Sequence, residues 1–463
     1  MIGLEEFEAI QYPVKFDLFI PGNSVNDNEV YHDGDIFLED YKEMNRSFKI
    51  YVYPISQDDP YANILLPINH KPRGNYASEH YFKQVLMKSH FITKDPKKAD
   101  LFFMPFSVAN MRVDRRIDVP GIRYFVRDYV LNISQKYPYW NRTGGADHFY
   151  VTCHSIGKSA TLAATYVKLN AIEVVCSANY FVPSYIPHKD ASMPQIWPRH
   201  EDPPNLASSE RKKLAFFAGR NNSPARAKVH QIWGNDREIL VHFDWVSNIA
   251  EEQLGSKFCL HVKGYEVNTA RAADSLFYGC VPVIIANYYH LPFADIINWK
   301  SFSVIVEHED IPLLKKILKG MSSEKYLMLQ RNVLKVRKHF QWHFPPVDYD
   351  AFYMTMYELW LRRSSVKSRL RFGLWTKALG IDRGRGKIGS FSKAVPEKEG
   401  NLSGNVAKPK ENGLFVDNAE VAEVSMTGAV GRNGLENMEV SDISVNKGFI
   451  NGISWNQLET MIL

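Results

Sequence analysis

The chain has 463 residues, enough for two or three domains of ordinary size. Its composition is 45% hydrophobic, 23% charged and 13% aromatic, which excludes a wholly disordered or collagen-like protein. The formal net charge is only +5, far below the surplus of a dedicated nucleic-acid binder. We therefore expect a globular protein without a nucleic-acid partner.

The first part of the chain alternates between strand-like and helix-like segments. Residues 1–45 are polar and rich in turn residues, and we interpret them as a lead-in without a defined fold. Four strands are then predicted at residues 47–53, 100–106, 147–151 and 172–175, with helices at 79–89, 121–133 and 159–168. Such alternation favours a parallel sheet covered by helices.

A second alternating block follows a loop-like segment at residues 188–213, which we interpret as an interdomain linker. Its strands are predicted at residues 214–218, 239–243, 257–261, 281–285 and 302–306. The sequence thus predicts two Rossmann-like α/β domains, residues 46–205 and 206–345, followed by a closing helix at 346–366.

The last hundred residues differ in character. Residues 367–393 are strongly basic, and residues 394–463 lack hydrophobic periodicity, so we expect a disordered tail. The tail contains a GxGxxG pattern from Gly384 to Gly389, but no predicted strand precedes it and no helix follows. We therefore do not interpret it as a dinucleotide site.

The cysteines and the apolar segments do not by themselves show whether the protein is secreted or spans a membrane. The four cysteines are expected to be buried thiols, with a Cys153–Cys176 disulfide as the alternative in an oxidising compartment. The N-terminus begins with acidic residues rather than a signal sequence, and no apolar run reads as a membrane span. Five N-x-[ST] sequons, at Asn45, Asn132, Asn141, Asn221 and Asn401, give weak support for a secretory-pathway protein.

Three candidate catalytic side chains flank the predicted strand at 147–151. Asp147 and His148 lie at its beginning, and His154 follows its end. Because catalytic groups of open α/β sheets gather at the carboxyl ends of strands, His154 is well placed to reach a ligand. A structural role as a cap or ion-pair partner is the alternative for Asp147. Two histidines without a third ligand do not predict a metal site.

The most informative pattern spans residues 256–285. A predicted strand leads into a loop with Lys263 and Gly264, and then into a helix that Asn268 or Thr269 is expected to cap. The N–H groups and dipole at a helix N-terminus favour an anion.

Two charged side chains of that helix extend the same interpretation. Arg271, together with Lys263, would neutralise a diphosphate, and Asp274 would accept hydrogen bonds from ribose hydroxyls. An Arg271–Asp274 ion pair on the helix surface is the alternative.

Short motifs along residues 46–365 resemble the exostosin family, and most closely the plant exostosin-like glycosyltransferases of the Golgi. These motifs occupy residues 48–54, 101–106, 139–149, 216–219 with Arg226, 256–264 and 271–284. The resemblance implies a GT-B-like fold, in which two Rossmann-like domains face a cleft. The C-terminal domain would hold a nucleotide sugar and the N-terminal domain a glycan acceptor.

The resemblance also implies an inverting transfer that needs no metal ion or cofactor, with a UDP-sugar as the expected donor. Family members build wall or matrix glycans, associate with other glycosyltransferases or with themselves, and sit in the Golgi through an N-terminal membrane anchor. The sequence given shows no such anchor.

Individual site residues follow from the motifs. The expected donor contacts are Gly219, Arg226, Lys263, Gly264, Asn268, Arg271 and Asp274. The expected acceptor contacts are Tyr53, Trp140 and His148, and the base is Asp147 or His154.

The chain departs from the family at two positions. Asp274 replaces a common glutamate, and Ser155 replaces a common aspartate after His154. A non-catalytic protein of the same fold, which binds glycans or stabilises a partner transferase, remains the alternative. An NAD-dependent enzyme is disfavoured because no glycine fingerprint follows the first strand of either block.

Overall fold

A computed structural model describes residues 29–181, 185–199, 201–204, 210–244 and 246–363. The tail predictions, including the Gly384–Gly389 pattern, lie outside these residues. The described residues belong to one compact unit that contains two five-stranded parallel sheets. We call the residues around the first sheet the N-terminal half and those around the second the C-terminal half.

The N-terminal half is built on a sheet whose strands follow chain order, β1-β2-β3-β4-β5. They are β1 (Ile50–Val52), β2 (Leu101–Phe103), β3 (His148–Thr152), β4 (Ile172–Val175) and β5 (Ala191–Ser192). Its helices are α1 (Gly34–Ser47), α2 (Ala62–Leu65), α3 (Ser78–Leu86), α4 (Val108–Met111), α5 (Asp118–Lys136), α6 (Tyr139–Thr143), α7 (Gly157–Ala160) and α8 (Thr165–Asn170). The four predicted strands are confirmed.

The C-terminal half has a sheet with the order β10-β9-β8-β6-β7. Its strands are β6 (Lys213–Ala218), β7 (Ile239–His242), β8 (Ser256–Val262), β9 (Val281–Ile285) and β10 (Val304–Ile305). Its helices are α9 (Pro224–Trp233), α10 (Ile249–Gly255), α11 (Arg271–Phe277), α12 (Leu314–Lys319) and α13 (Ser323–Val336). The last helix, α14, residues 351–363, returns to pack on the N-terminal half, where Trp360 contacts Phe48. Short 3₁₀ segments occupy Trp299–Ser301, Ile311–Leu313 and Arg337–Phe340.

The order of the second sheet creates a topological switch point. The chain leaves β6 toward β7 on one side and returns to β8 on the other, so that β6 and β8 are neighbours whose connections diverge. A crevice opens at the carboxyl ends of such strands, and ligands of open α/β sheets bind there. The expectation of an α/β fold with two parallel sheets is thus confirmed, and the second sheet locates the crevice.

Two local predictions are corrected. The segment 188–213 is not only a linker, because it contains β5, which pairs with β4 through Val174 and Ala191. The single helix predicted at 159–168 is two short helices, α7 and α8.

The interpretation of residues 1–45 as a lead-in without a fold is wrong for the part that the structure describes. Residues 34–47 form α1, which buries Phe37, Tyr41 and Met44. The Phe37 ring packs edge-on against Tyr357 of α14, with centroids 4.9 Å apart. The Tyr41 hydroxyl donates a hydrogen bond of 2.9 Å to Asp348. Aromatic packing therefore holds α1 against the end of the described chain. The polar residues between the aromatic ones had obscured this pattern in the sequence.

One hydrophobic core runs through both halves. It contains Phe82 and Phe149 from the first sheet and its helix α3, and Phe258 from the second sheet. Phe352 of α14 joins it and lies 5.9 Å from Phe82, centroid to centroid. The two sheets are therefore held in a fixed relation by shared packing.

The prediction of four buried thiols is wrong, and the alternative, a Cys153–Cys176 disulfide, is confirmed. Cys153 bonds to Cys176 and Cys259 bonds to Cys280, and no cysteine is free. Cys153 and Cys176 directly follow the neighbouring strands β3 and β4, and Cys259, in the middle of β8, bonds to Cys280, which directly precedes β9. The parallel sheets create these proximities, which sequence spacing does not reveal.

The part of the chain that the structure describes contains no helix with both the length and the apolar character of a membrane span.

Candidate functional site

The carboxyl ends of the two sheets face each other and touch. The ammonium of Lys158, beyond β3, forms an ion pair with Glu266, which lies in the loop after β8. Ser177, beyond β4, donates a hydrogen bond of 2.7 Å to the same carboxylate. These contacts define the cleft as the region between the βα loops of both halves.

Arg271 and Gly219 meet at the switch point. The Nε of Arg271 donates a hydrogen bond of 2.6 Å to the carbonyl of Ala218, at the end of β6. A Cβ on Gly219 would lie 2.4 Å from a guanidinium nitrogen of Arg271. Gly219 therefore lets this cation lie across the end of the strand, and the structure brings together these two predicted residues.

Arg226 lies beneath the loops of the switch point. Its guanidinium donates to the carbonyls of Arg220 and Val262 and to the side chain of Asn222. Burial, and then the neighbouring positive charge of Arg271, lower the pKa of Arg226 to about 9. Its partners are neutral, so its charge adds to the positive potential of the crevice.

Lys263 and Gly264 begin the loop that follows β8, next to the guanidinium of Arg226. A Cβ on Gly264 would come within 3.0 Å of the side chains of both Arg226 and Asn222, so a larger residue would push these two side chains apart. The backbone N–H of Lys263 donates to the carbonyl of Ile285, and its own carbonyl accepts from Ser223. This anchors the loop to β9 and to the first turn of α9, with Lys263 half-buried at the cleft.

Side-chain hydrogen bonds fix the start of α11. The backbone N–H of Arg271 donates to Thr269, and the Thr269 hydroxyl lies 3.3 Å from Nδ1 of His261. The other ring nitrogen of His261 donates to the carbonyl of Val267. Asn268 does not take part, because its side chain donates to Gln195 of the N-terminal half at 2.7 Å. Asn268 is thus a contact between the halves.

Asp274 is buried and paired. One of its carboxylate oxygens accepts a hydrogen bond of 2.5 Å from Arg199. Arg199 also donates to the hydroxyl of Tyr278 and lies over the ring of Phe277. Burial raises the pKa of Asp274, which the charge of Arg199 partly offsets. The alternative, an Arg271–Asp274 pair on the helix surface, is not observed among the described residues. Asp274 instead forms a buried pair with Arg199, which belongs to the segment interpreted as a linker.

A cavity of about 850 Å³ lies beside this pair and is lined by residues of both halves. Asp274 and Phe277 of α11 form one wall, and Trp197 and Arg199 another. This volume falls in the range of small-molecule sites, roughly 300 to 1,000 Å³. The cavity therefore has room for a group as large as a nucleoside next to the carboxylate of Asp274.

Asp147 lies in a closed hydrogen-bond network. Arg142 donates two bonds to one of its oxygens, and Thr143 and the Nδ1–H of His148 donate to the other. Burial alone would raise the pKa of Asp147, but the bonds from His148 and Thr143 and the charge of Arg142 lower it overall. The carboxylate has no exposed surface. A general base must come within about 3 Å of the acceptor hydroxyl, and in this arrangement the Asp147 carboxylate is enclosed by its own partners, so its role as the base stays a prediction.

The predicted acceptor contacts belong to the same buried network. The Tyr53 hydroxyl donates to Nε2 of His148 at 2.6 Å, and the Trp140 ring packs edge-on against His148. All three side chains are at most 5% exposed. Tyr53, Trp140 and His148 are therefore packed inside the fold in this arrangement, and their role as acceptor contacts stays a prediction.

His154 lies beyond β3, at the cleft, with its ring against Tyr76. Burial and the charge of Arg112 lower its pKa to about 4, so that the ring is neutral at pH 7. Nδ1 accepts a hydrogen bond of 3.1 Å from the N–H of Ile156, which leaves the proton on Nε2. His154 is therefore a hydrogen-bond donor at Nε2 in this arrangement, which opposes the predicted role as a base.

Two residues at the cleft had no role in the sequence prediction. Glu266 was only one charge in a loop, and Arg199 belonged to the supposed linker. The partners described above, Lys158 and Ser177 for Glu266 and Asp274 for Arg199, lie between 75 and 108 residues away in sequence, so no local pattern could have indicated these contacts.

The described residues contain no group of three or more His, Cys, Asp or Glu side chains that could hold a metal ion. Arg226 and Arg271 place positive charge at the switch point, and Lys263 lies on the adjoining loop.

Two parallel α/β halves that meet at their carboxyl ends, with cations at a switch point, define a GT-B-like transferase fold. Residues 44–321 match the Exostosin GT47 domain. The chain therefore belongs to the exostosin GT47 family of glycosyltransferases.

Several plant proteins are similar to the chain. It is 39% identical over 358 residues to the probable glycosyltransferase At5g03795 of Arabidopsis thaliana, covering 73% of this chain and 67% of that protein. It is 37% identical to the probable glycosyltransferase At3g07620 of the same plant, over 73% of each chain. It is 29% identical to the Arabidopsis probable beta-1,4-xylosyltransferase IRX10, covering 55% of this chain and 64% of that protein.

Among solved structures, AviGT4, a glycosyltransferase involved in avilamycin A biosynthesis, aligns at 9% identity with a TM-score of 0.28. The alignment covers 71% of this chain and 98% of that one. A score this low carries no argument, and the fold class rests on the two sheets and on family membership.

Proposed function

We propose that the protein is an inverting glycosyltransferase that moves a sugar from a nucleotide sugar, most simply a UDP-sugar, to a cell-wall glycan. The observation that carries the proposal is the pair of cations Arg226 and Arg271, packed against Gly264 and Gly219 at the switch point, with Lys263 on the adjoining loop. A xylosyltransferase and glucuronosyltransferases among the relatives support a wall polysaccharide as the acceptor class.

These cations support binding of a nucleoside diphosphate. Burial lowers the pKa of Arg271, which means that its charge is poorly solvated, and the nearby charge of Arg226 adds repulsion. A diphosphate would relieve both effects. Asp274 lies on the wall of the cavity, where its carboxylate would accept hydrogen bonds from ribose hydroxyls. The cavity would hold the nucleobase.

The same cations account for departure of the leaving group without a metal ion. As the bond between the sugar and the diphosphate breaks, negative charge grows on the phosphate oxygens. Positive groups that are already in place stabilise the transition state, in which this charge has grown, more than they stabilise the ground state. The activation barrier is therefore lower.

Glu266 is our candidate for the base, in place of Asp147 and His154. Its carboxylate lies between the halves and contacts Lys158 and Ser177. In an inverting transfer the base takes the proton of the acceptor hydroxyl while the oxygen attacks the anomeric carbon opposite the leaving diphosphate. Nε2–H of His154 would orient the acceptor as a hydrogen-bond donor.

We place the enzyme in the Golgi. Two disulfides fit an oxidising compartment of the secretory pathway. Family resemblance supports the same location, with a membrane anchor as the means of attachment and other glycosyltransferases as partners.

Nucleotide release should be measured with a panel of UDP- and GDP-sugars, and binding of UDP by calorimetry. Arg271→Ala should lower transfer at least about a hundredfold and weaken UDP binding, because it removes the charge nearest the leaving group. Arg237→Ala, which removes an exposed arginine of the same half, is the matched control and should change neither quantity. Full activity of Arg271→Ala would contradict the donor site, and no binding of any nucleotide sugar by the wild type would favour the non-catalytic alternative.

Glu266→Gln tests the base. Transfer should fall by about 10²- to 10⁴-fold in kcat while UDP affinity stays within about twofold, since the amide keeps the shape but cannot take a proton. A normal kcat would exclude Glu266 as the base.

A further inference from the structure

Three aromatic side chains form an exposed patch where the two halves meet. Tyr180 and Phe181 follow β4, and Tyr288 follows β9. They are 51%, 69% and 47% exposed, respectively. Phe181 stacks on Tyr288 with centroids 4.7 Å apart, and Tyr180 meets Tyr288 edge-on at 5.7 Å. Large aromatic surface left in water marks an interaction site more often than an isolated ring does.

The backbone around this aromatic patch is fixed. The N–H of Tyr180 donates to the carbonyl of Tyr288 at 3.1 Å, and the N–H of His290 donates to the carbonyl of Ala178 at 2.8 Å. Between them, Asn179 and Tyr289 form an antiparallel bridge. Tyr288 has a φ of 63°, a left-handed conformation that is rare for a bulky residue and persists only where the surroundings impose it. The rings are therefore presented by a rigid junction.

The patch is continuous with the cleft. Ser177, which donates to Glu266, lies three residues before Tyr180 on the same loop. Both loops leave the carboxyl ends of their strands, as do the loops that carry Lys263 and His154. A molecule held in the cleft could therefore extend onto the rings.

The sequence of the patch is aromatic and uncharged. Residues 178–181 read Ala-Asn-Tyr-Phe, and residues 286–289 read Ala-Asn-Tyr-Tyr. The same tripeptide thus follows a strand of each sheet, and neither segment contains Asp, Glu, Lys or Arg. The ligand that such a surface fits has flat apolar faces and neutral hydroxyl groups.

We propose that the aromatic patch binds neutral pyranose units of the acceptor glycan, some distance from the unit that receives the new sugar. The C–H faces of the pyranose rings would pack on Phe181 and Tyr288, and the phenol groups of Tyr180 and Tyr288 would bond to sugar hydroxyls. The inference rests on the proposed function for the identity of the ligand. It adds a platform that favours long acceptors over short ones.

The test uses the full chain and four soluble probes: xylohexaose, cellohexaose, xyloglucan and arabinoxylan. Binding is measured by calorimetry for the oligosaccharides and by affinity electrophoresis for the polysaccharides. The variants are the double substitution Tyr180→Ala/Phe181→Ala and the single substitution Tyr288→Asn, because asparagine tolerates the left-handed backbone. Tyr124→Ala, an equally exposed tyrosine on α5, is the control.

We expect at least one probe to bind the wild type, and both patch variants to weaken that binding by about tenfold, with thermal midpoints unchanged. The control should bind as the wild type does. Unchanged binding in the variants, or no binding of any probe by the wild type, would overturn the proposal. So would loss of self-association in the variants, seen by light scattering, without loss of glycan binding, since the patch would then join two copies.

Binding of UDP, measured in the same samples, separates this proposal from the proposed function. Patch variants should keep the UDP affinity of the wild type. If UDP fails to bind but the glycan effect stands, the transferase proposal fails and the platform remains. If UDP binds and the glycan effect is absent, only the platform fails.

Discussion

Gly219 controls the position of a cation. Substitution by alanine would place a Cβ 2.4 Å from the guanidinium of Arg271, so the end of that flexible side chain must move. Moving a side-chain end costs little stability, but it displaces the charge from the crevice. We expect Gly219→Ala to weaken UDP binding about tenfold or more while lowering the thermal midpoint by only a few degrees.

Calorimetry with UDP and thermal unfolding measure the two quantities. Gly255→Ala is the comparison, because a Cβ there meets only the Lys213 side chain, at 4.0 Å. Equal UDP affinities for Gly219→Ala and the wild type would mean that Arg271 does not contact the ligand.

Asp147 is a structural residue in this fold. Asp147→Asn would leave Arg142 and His148 facing an amide instead of a carboxylate, at a position that is itself fully buried. We expect a loss of about 1 to 3 kcal/mol in the free energy of unfolding. Urea denaturation checks this, with Asp128→Asn, an exposed aspartate paired only with its neighbour Arg127, as the control. A large fall in kcat at unchanged stability would support a catalytic role.

The sequence indicated that Lys263 and Arg271 lie near the end of a strand, but it did not indicate the partners that surround Asp147 and Asp274. A strand, loop and helix pattern places Lys263 and Arg271 at the carboxyl end of β8 whatever the rest of the fold. Whether Asp147 faces water or Arg142 depends on how α6 folds back over the start of β3. For Asp274, the deciding partner Arg199 is distant in sequence.

At the scale of elements, helix α1 packs its aromatic side chains against α14. Phe37 is 3% exposed and contacts Tyr31, Tyr41, Tyr349 and Tyr357. Phe37→Ala should cost about 3 to 5 kcal/mol, because it removes a ring from a closed cluster. Its neighbour Ile36 is 60% exposed, so Ile36→Ala should cost less than about 0.5 kcal/mol. Similar costs for the two variants, measured by urea denaturation, would show that α1 does not contribute to the core.

Strands were easier to predict than the segments between them. Buried parallel strands appear as continuous apolar runs, as at residues 281–285, whose prediction matches β9. Strand β5 has two residues, and the prolines and charged residues around it gave the sequence of that segment the composition of a loop. Helix α1 has polar residues between its aromatic ones, and its partners are about 300 residues away.

At the scale of the whole molecule, buried neutral histidines make stability depend on pH. Burial lowers the pKa of both His261 and His339 to about 4, whereas the unfolded value is near 6.5. The unfolded chain therefore binds more protons between these values, and stability falls as the pH falls from about 6.5 to about 4. Each histidine contributes at most about 3 kcal/mol.

His339→Gln isolates one of these contributions. Glutamine can keep the bonds to Tyr31 and the Tyr349 carbonyl but does not titrate. Buried carboxylates such as Glu358, whose pKa burial raises to about 7, act in the opposite direction and are common to both proteins. The difference in unfolding free energy between wild type and His339→Gln should therefore shift against the wild type as the pH falls from 6.5 to 4. Parallel pH curves would contradict the assignment.

The disulfides bear on how the chain matures. Cys153–Cys176 spans 23 residues and Cys259–Cys280 spans 21, and each lies within one half. As the chain is made from its N-terminus, the first bond has both partners available before any of the second sheet exists. Each half can thus be oxidised on its own, and the order of synthesis favours native pairing over exchange between the two cysteine pairs.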